Sequence, residues 1–452
     1  KSIGGLMMSE SISNENIQKY QSDLKNRQEA KVMQRAISHN GINSTAANFE
    51  SEANMKPIFS VEVDTGEVSN QQHSGRCWIF AALNTMRHNL AKNFNLSGDF
   101  ELSQIYTTFW DKFEKCNWFL ENIIRTADQP LTSRRVSWLL DSPQQDGGQW
   151  DMLCAVIEKY GVAPQSAMVE TANSNDTSEL NAVLNQKLRI DAIKLRELAN
   201  DGKDVQSAKD DMLSEIYRVL VYAFGEPVST FNFEYRDEKH EYHVDNDLTP
   251  KKFFDKYVNL NLEDYVSIIN SPTEDKPYDN TYTVDMLGNV INGRQVKHLN
   301  LEMDKLEELT ITQLKNGESV WFGSDVAKES DRKKGIMDDA LYSKGELFDI
   351  DLGMSKAEQL DFHQSVMNHA MVITGVDIVD GKPTKWKVEN SWGNKVGSKG
   401  YFVMSESWFR RFTYQVVINK KYLSEADNAS QEKDPVVLDP WDPMGTLAFF
   451  EK

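Results

Sequence analysis

The sequence predicts an α+β protein whose helices come before its strands. Apolar residues recur at helical spacing through most of residues 77 to 316, whereas short runs rich in β-branched and aromatic residues, separated by glycines, follow Glu318. The chain has 452 residues, of which 40% are hydrophobic and 26% charged, as in ordinary globular proteins. This length allows a sizeable core and favours two or three domains, or one heavily elaborated domain.

The first predicted element is a polar helix over residues 13–37, which is either a surface arm or clamp or a frayed terminal helix. Further helices are predicted over residues 77–93, 102–121, 151–160, 176–200, 205–224, 251–257 and 301–316. Strands are predicted over residues 319–323, 370–375, 385–390, 400–404 and 414–418. Residues 231–250 are predicted to form loops or a short hairpin, and residues 434–452 an extended tail without a helix or strand.

Composition argues against several classes of protein. The formal net charge of −19 argues against a nucleic-acid-binding surface, because neutralising phosphates needs clustered Lys and Arg. No apolar run reaches the length of about eighteen residues that a membrane span needs, and the first residues lack the apolar core of a secretory signal. Only three cysteines are present, which argues against a disulfide framework and for a reducing compartment. We therefore expect a cytoplasmic protein without nucleic-acid or membrane partners.

Cys77 is the first candidate catalytic residue. It directly precedes the apolar run of the helix predicted over residues 77–93, so it lies at or near a helix N-terminus. There the backbone N–H groups and the helix dipole stabilise a thiolate, which is the nucleophilic form of cysteine. A buried structural cysteine has the same local pattern. The chemistry therefore depends on partners elsewhere in the chain.

A cysteine nucleophile needs a base, and the base needs a group that orients it. His369 lies at the start of a predicted strand, and histidine has an unperturbed pKa near neutrality. Asn390 ends the next predicted strand, and a short turn at residues 380–383 lets the two strands pair antiparallel. Asn390 would then lie beside His369, where Trp392 shields their hydrogen bond from water. His363 is a rival base, but no strand follows it directly.

Acyl transfer also needs donors for the oxyanion of its transition state. Gln71 is a candidate side-chain donor, and the backbone N–H of Cys77 at the helix start would be the second. Gly147 and Gly148 leave room for a peptide backbone to approach the backbone of the protein.

Four motifs in this order resemble those of papain-like cysteine peptidases. They are Gln71-x5-Cys77-Trp78, Gly147-Gly148, Asn368-His369-Ala370 and Asn390-Ser-Trp-Gly393. Residues 75–80, residues 367–371 and the segment 440–445 place the resemblance in the bleomycin hydrolase and bacterial aminopeptidase C branch. The resemblance implies a two-lobed papain-like fold, with a helical lobe, an antiparallel β-barrel-like lobe and a large helical insertion.

The spacing of the motifs locates the insertion. The stretch between Cys77 and His369 is much longer than the about 130–150 residues of the papain pattern, which implies about 150 inserted residues. The predicted parts are an N-terminal helical arm (1–60), a helical lobe (61–170), a mainly helical insertion (171–316), a β-rich lobe (317–425) and a C-terminal tail that enters the cleft (426–452). Ser74 and Gln145 stand where the secreted relatives carry a disulfide, which fits a reducing cytoplasm.

The resemblance also implies the activity. We expect a thiol aminopeptidase of broad specificity that acts on peptides, needs no metal or organic cofactor and assembles as a homohexamer. In this branch Cys77 would be the nucleophile, His369 the base, Asn390 its orienting group and Gln71 an oxyanion donor. The substrate-binding residues implied by the resemblance are Gly147, Gly148, Asn368, Trp392 and Ala448.

The end of the chain leaves an alternative open. In this branch the C-terminal carboxylate lies in the cleft and holds the free amino group of the substrate. Here four more residues, Phe449–Lys452, follow Ala448. These residues could occupy the cleft, be trimmed by the enzyme, be displaced so that internal bonds are cleaved, or have no role. An endopeptidase of the same family is therefore the alternative prediction.

Other classes of protein fit the sequence less well. No Gly-x-Ser-x-Gly elbow of a serine hydrolase occurs, and His240 and His243 are three residues apart rather than the four of a zinc peptidase helix. We interpret these histidines as solvated loop residues, and Cys116 and Cys154 as buried core thiols. A binding shell without catalysis is disfavoured because all four catalytic residue types are present.

Overall fold

The computed structural model describes residues 10–97 and 99–448, which form two compact units. The first unit contains the N-terminal arm to residue 52 together with residues 340–353, and the second contains the rest of the described chain. Residues 449–452, on which the endopeptidase alternative depends, lie outside the described residues. No helix in the described part of the chain is long and apolar enough to cross a lipid bilayer.

The first unit is helical. Its helices are Asn14–Lys25, Ala30–Asn40, Ile42–Ala46 and Lys344–Phe348, with Phe49–Asn54 running past its end. Two helices therefore replace the single helix predicted over residues 13–37. Ser13 begins the first with a capping box, and residues 26–29 break the helical run. The first helix has no buried residue, as expected for a surface arm.

The second unit begins with a helical layer. Its longer helices are Cys77–Phe94, Gln104–Arg125, Arg134–Asp141, Trp150–Tyr160, Ser178–Asn200, Val205–Phe224 and Met303–Lys315. Shorter helices are Ala172–Asn175, Pro250–Phe253, Lys356–Asp361, Glu406–Phe412 and Glu425–Gln431. Short π or 3-10 segments are Gln165–Ala167, Phe254–Val258, Leu262–Asp264, Lys420–Tyr422 and Pro443–Ala448. An apolar cluster joins the three helices Gln104–Arg125, Ser178–Asn200 and Val205–Phe224.

One large sheet and one hairpin hold the described strands. The hairpin pairs Phe231–Arg236 with Tyr242–Leu248, as one of the sequence alternatives predicted. The order in the large sheet is Val436–Leu438, Asn280–Val284, His298–Asn300, Tyr265–Ile269, Thr413–Asn419, Val320–Ser324, His369–Val379, Lys382–Glu389, Tyr401–Ser405, Ile336–Met337 and Ser330–Asp331, with Val61–Glu62 also beside His369–Val379. Its central pairs are antiparallel, and every strand predicted after Glu318 is present.

The centre of this sheet is buried on both faces, which explains its continuous apolar strands. Ala370 and Val372 pack in the cluster that contains the helix Cys77–Phe94. Met371 and Ile373 pack in the cluster on the other face, which contains apolar residues of the helices Met303–Lys315 and Glu406–Phe412. Because successive side chains of a strand alternate between faces, the strand is held from both sides.

Two segments differ from the elements predicted for them. Within residues 171–316, the strands Tyr265–Ile269, Asn280–Val284 and His298–Asn300 join the large sheet, so this segment adds strands as well as helices. The prediction that residues 434–452 lack a helix or strand is wrong for the described part. Val436–Leu438 pairs with Tyr282–Val284, because a free sheet edge offers backbone partners that short apolar runs can use.

Candidate active site

Cys77 is the first residue of the 18-residue helix Cys77–Phe94, as the sequence predicts. Its side chain is 3% exposed, and its Sγ accepts a hydrogen bond of 3.4 Å from the backbone N–H of Ala370. Ala370 follows His369 directly, so the thiol lies at the start of the central strand. The helix N-terminus favours the anionic form of a group placed there.

The Cys77 helix is positioned by tryptophans. The indole Nε1 of Trp321 donates to the backbone oxygen of Trp78 at 3.2 Å. The indole of Trp78 donates in turn to the backbone oxygen of Asp146 at 2.6 Å. The nucleophile candidate is therefore connected both to the central sheet and to the segment of the two glycines.

His369 and Asn390 meet as predicted. The strands His369–Val379 and Lys382–Glu389 pair antiparallel across a tight turn at Asp380 and Gly381, which both have positive φ. Nε2 of His369 lies 2.9 Å from Oδ1 of Asn390, and both residues are fully buried. Oδ1 of Asn390 also accepts from the N–H of Ser391, which identifies this atom as oxygen. An amide oxygen only accepts, so the imidazole Nε2 carries the proton and Nδ1 is the basic nitrogen.

Trp392 covers the histidine. Its ring centroid lies 4.8 Å from that of His369, at an angle of 31° between the planes. The guanidinium of Arg332 lies 4.2 Å from the centroid of Trp392. Excluding water from the His369–Asn390 hydrogen bond strengthens it.

Gln71 lies near the turn after Asn390. Its Nε2 donates to the backbone oxygen of Ser74 at 2.8 Å, and its Oε1 is 2.6 Å from Oγ of Ser391. The backbone N–H of Gln71 donates to the backbone oxygen of Ser391. One hydrogen of the amide NH2 is used by Ser74, so this group has a second one to offer.

The end of the described chain lies against Gly147. A Cβ placed on Gly147 would lie 2.5 Å from the backbone oxygen of Leu447 and 2.9 Å from that of Ala448. Thr446 donates to the backbone oxygen of Met367 at 2.9 Å, two residues before His369. The predicted substrate-binding residue Ala448 is thus buried against the glycine segment, two residues after the threonine that binds the segment leading to His369. A Cβ on Gly148, in contrast, would collide with the ring of Trp78 at 2.6 Å.

Comparison with known proteins identifies the family. The model of the peptidase C1-like family matches residues 11–445. The chain belongs to this family. Aminopeptidase C of Lactobacillus helveticus is 55% identical and that of Listeria innocua 50% identical, each over 98% of this chain and all of the relative. Aminopeptidase E of Lactobacillus helveticus is 42% identical over 97% of the chain.

A solved structure supports the fold. The crystal structure of PepW from a Lactobacillus matches with a TM-score of 0.95 and 57% identity, over 97% of this chain and 99% of that one. The predicted papain-like α+β fold is therefore confirmed. The family and the full-length relatives also confirm the prediction of a cysteine-type aminopeptidase.

One predicted substrate-binding residue of this family member is turned into the protein. The amide nitrogen of Asn368 donates to Asp325 at 2.8 Å, and its amide oxygen accepts from the N–H of Val326 at 3.0 Å. Asp325 also accepts from Ser365 at 2.8 Å. The side chain of Asn368 therefore braces the segment before His369.

Arg76, which directly precedes Cys77, forms an ion pair inside the protein. It is fully buried, and its guanidinium pairs with Glu170 at 3.0 Å and donates to the backbone oxygen of Ser174 at 2.8 Å. Its Nε donates to Oγ of Ser74 at 2.9 Å. The segment that supplies Glu170 and Ser174 is distant in sequence, so no local pattern around residue 76 indicates this burial.

The rival groups are placed away from this chemistry. His363, the alternative base, is exposed in a turn. Cys116 and Cys154 are buried free thiols, and burial raises the pKa of Cys116 to about 12. Burial also raises the pKa of Cys154 well above its ordinary value. Cys77 is therefore the cysteine whose surroundings suit a nucleophile.

Proposed function

We propose that this aminopeptidase cleaves peptides through an acyl-enzyme on Cys77. The observation that carries the proposal is the meeting of three motifs at the start of one strand. The N–H of Ala370 reaches the sulfur of Cys77 at 3.4 Å, while the adjacent His369 is held by Asn390 at 2.9 Å. A nucleophile, a base and an orienting amide are thus brought together at the start of one strand, which is the arrangement that thiol catalysis needs.

In the first step His369 removes the proton of the Cys77 thiol and the thiolate attacks the carbonyl carbon of the scissile bond. The hydrogen bond to Asn390 keeps Nε2 protonated, so Nδ1 accepts this proton. The attack forms a C–S bond and a tetrahedral oxyanion. The backbone N–H of Cys77 and the remaining amide hydrogen of Gln71 are the donors proposed for that oxygen.

In the second step the C–N bond breaks and the imidazolium gives its proton to the leaving amine. The acyl group remains on Cys77 as a thioester. Water, deprotonated by His369, attacks the thioester, releases the carboxylic acid and restores the thiol. No step calls for a group that the chain itself lacks.

The end of the chain supports removal of single N-terminal residues. Leu447 and Ala448 lie against Gly147, and Thr446 is bound to the segment before His369. A chain segment held there leaves little room for substrate residues before the scissile bond. The alternative, an endopeptidase, is favoured by the four residues that follow Ala448 in the sequence.

The remaining parts of the proposal rest on resemblance and composition. We propose broad side-chain specificity, peptides as substrates, a homohexamer and a cytoplasmic location. The reducing location is supported by three cysteines that are all free in the structure.

The experiment compares an amino-acid aminomethylcoumarin substrate with its N-blocked form. The wild type should cleave the free-amine substrate, and Cys77→Ala should lose this activity while keeping its fold. Cys116→Ala is the matched control, because it removes a buried thiol outside the site and should keep the activity. Iodoacetamide at neutral pH should label one cysteine, Cys77, faster than a free thiol. Activity of Cys77→Ala near that of the wild type would refute the assignment.

The same two substrates decide between exo- and endopeptidase. We expect deletion of residues 449–452 to raise turnover of the free-amine substrate and to suppress that of the blocked one. If the wild type prefers the blocked substrate and the deletion leaves this preference unchanged, the endopeptidase alternative is correct.

A further inference from the structure

Asp146 directly precedes the two cleft glycines and is almost completely buried. Its Oδ1 is 2.7 Å from Nζ of Lys112 and accepts from Nδ2 of Asn181 at 3.1 Å. Its Oδ2 accepts from the N–H of Gly75 at 2.8 Å and from the hydroxyl of Thr177 at 2.5 Å. Every lone-pair direction of a carboxylate is therefore used for a donor.

Two of the contacts of Asp146 bracket the nucleophile. Its carboxylate holds the amide of Gly75, two residues before Cys77, and its backbone oxygen holds the indole of Trp78, one residue after it. The approach is close, since a Cβ on Gly75 would lie only 3.0 Å from the Cβ of Asp146. One residue thus sets the position of the chain on both sides of the sulfur.

The loop before Cys77 also connects Gly75 with Gln71 through hydrogen bonds. Nε2 of Gln71 donates to the backbone oxygen of Ser74, and Oγ of Ser74 donates to the backbone oxygen of Gln71. Ser74 is the neighbour of Gly75, so a shift of Gly75 moves the acceptor that orients the Gln71 amide. Both proposed oxyanion donors, the Cys77 N–H and the Gln71 amide, depend on the same short loop.

The carboxyl group of Asp146 is ionised although it is buried. Burial by itself would raise its pKa, but Lys112, Thr177 and the Gly75 amide outweigh burial and hold the pKa below its ordinary value. Lys112 is fully buried, and its ammonium also donates to Gln144 at 3.0 Å and to Asn181 at 2.8 Å. The three donors of this ammonium are therefore all used, and charge-assisted bonds of this kind are the strong ones.

We propose that Asp146 is a positioning residue for the reaction, a carboxylate clamp that aligns the two oxyanion donors with Cys77. This inference rests on the proposed function. Thr177 and Asn181 belong to the segment predicted as an insertion, so that segment contributes to the geometry of the site. The clamp joins residues 75 and 146 in a chain whose cysteines are all unpaired.

The test measures kcat and KM for Asp146→Ala and Asp146→Asn with the free-amine substrate. Asp146→Ala removes the acceptor of Gly75 and should lower kcat by about 10- to 100-fold with KM changed by less than about threefold, because misplaced oxyanion donors act on the transition state. Asp146→Asn keeps an oxygen for the Gly75 amide and should restore part of the loss.

Asp151→Asn is the matched control. Asp151 is a buried carboxylate five residues further on, paired with Arg294 at 2.9 Å and bound to the N–H of Lys297. The hydrogen-bond and ion-pair partners of its carboxylate in the described part of the chain, Arg294 and Lys297, lie outside the loop before Cys77, so its substitution should lower the melting temperature with kcat close to that of the wild type. Thr177→Val is the milder variant if Asp146→Ala does not fold, and it should lower kcat by a smaller factor than Asp146→Ala is expected to do.

The results that would overturn this inference differ from those that would overturn the proposed function. If Asp146→Ala, or Thr177→Val in its place, lowers kcat no more than Asp151→Asn does, the clamp is only structural and the inference is overturned. The inference is also overturned if the kcat of Asp146→Asn is as low as that of Asp146→Ala. Failure of the proposed function would instead appear as activity in Cys77→Ala.

Discussion

Gly147 and Gly148 are adjacent in the sequence, yet the structure gives them different neighbours. Gly147 faces the backbone oxygens of Leu447 and Ala448, whereas Gly148 faces the ring of Trp78. The sequence predicts that both glycines leave room for substrate. In the structure both face the protein itself, Gly147 a backbone segment and Gly148 an aromatic ring, so a side chain at each position would meet different atoms.

This difference leads to a prediction at the scale of single residues. The methyl group of Gly147→Ala meets backbone atoms, which cannot rotate away, so the segment ending at Ala448 must shift. We expect a higher ratio of blocked to free-amine cleavage than in the wild type, together with faster digestion past Ala448 by a carboxypeptidase. Gly148→Ala is the matched comparison, and it should lower activity without changing the ratio. An unchanged ratio in Gly147→Ala would show that the segment does not restrict the cleft.

Single residues also show where prediction from sequence reaches its limit. Cys77, His369 and Asn390 lie at the ends of predicted elements and have side chains suited to thiol catalysis, so the roles proposed for them follow from residue type and order. The directions of the Asn368 amide and the Arg76 guanidinium depend on partners from distant segments, Asp325 and Glu170. The sequence spacing between each of these residues and its partner does not indicate that they are in contact.

At the scale of elements, a buried ion cluster connects the Cys77 helix with the strand Lys382–Glu389. Glu389, the residue before Asn390, is fully buried. Its Oε1 is 2.6 Å from Arg87 and its Oε2 is 2.9 Å from His88, both on the Cys77 helix. Burial by itself would raise the pKa of Glu389, but His88 and Arg87 outweigh it and lower the pKa. The helix of the nucleophile and the strand of the orienting residue are thereby held together.

Glu389→Gln should therefore destabilise the protein in a pH-dependent way. Because the folded-state pKa is below the ordinary value of 4.5, the stabilisation is complete above about pH 4.5 and is lost as the pH falls through the folded-state pKa. At pH 7 we expect the free energy of unfolding to fall by about 3 kcal/mol, since the Arg87 guanidinium remains buried without its charged partner. Urea denaturation measures the free energy of unfolding of wild type and variant at pH 7 and below pH 4.5. The difference between the two proteins should be smaller below pH 4.5.

The control for this prediction is a carboxylate that pairs with a lysine of the same strand. Glu62 forms a partly exposed ion pair of 3.0 Å with Lys387. Glu62→Gln should change the free energy of unfolding by less than about 1 kcal/mol, because exposed ion pairs contribute little. Equal effects of Glu389→Gln and Glu62→Gln would contradict the role given to the buried cluster.

Elements were predictable where their pattern was long or strongly apolar. The five strands after Glu318 and the helix Cys77–Phe94 follow from periodicity and glycine positions. The strands His298–Asn300 and Val436–Leu438 have three residues each, too few for a period to appear. Their assignment depends on the partner strands that the folded sheet offers.

At the scale of the whole molecule, the proposed homohexamer gives a direct prediction. Six chains of 51.7 kDa correspond to a native mass of about 310 kDa. Because each chain has a net charge of −19, added salt should maintain or favour the assembly by screening the repulsion between copies. Light scattering after size-exclusion chromatography at low and moderate salt measures the mass. A mass of one chain at both salt concentrations would refute the hexamer.

The family and the kind of chemistry could be predicted from the sequence, because residue type, order and periodicity are local properties of a chain. It was enough to predict a thiol peptidase with Cys77, His369 and Asn390 in an α+β fold. Three contacts are visible only in the folded chain: Asp146 holds the loop of Cys77, Glu389 connects helix and strand, and Ala448 lies against Gly147. These contacts join residues about 70 to 300 positions apart. Their geometry is set by packing, which a local sequence pattern does not indicate.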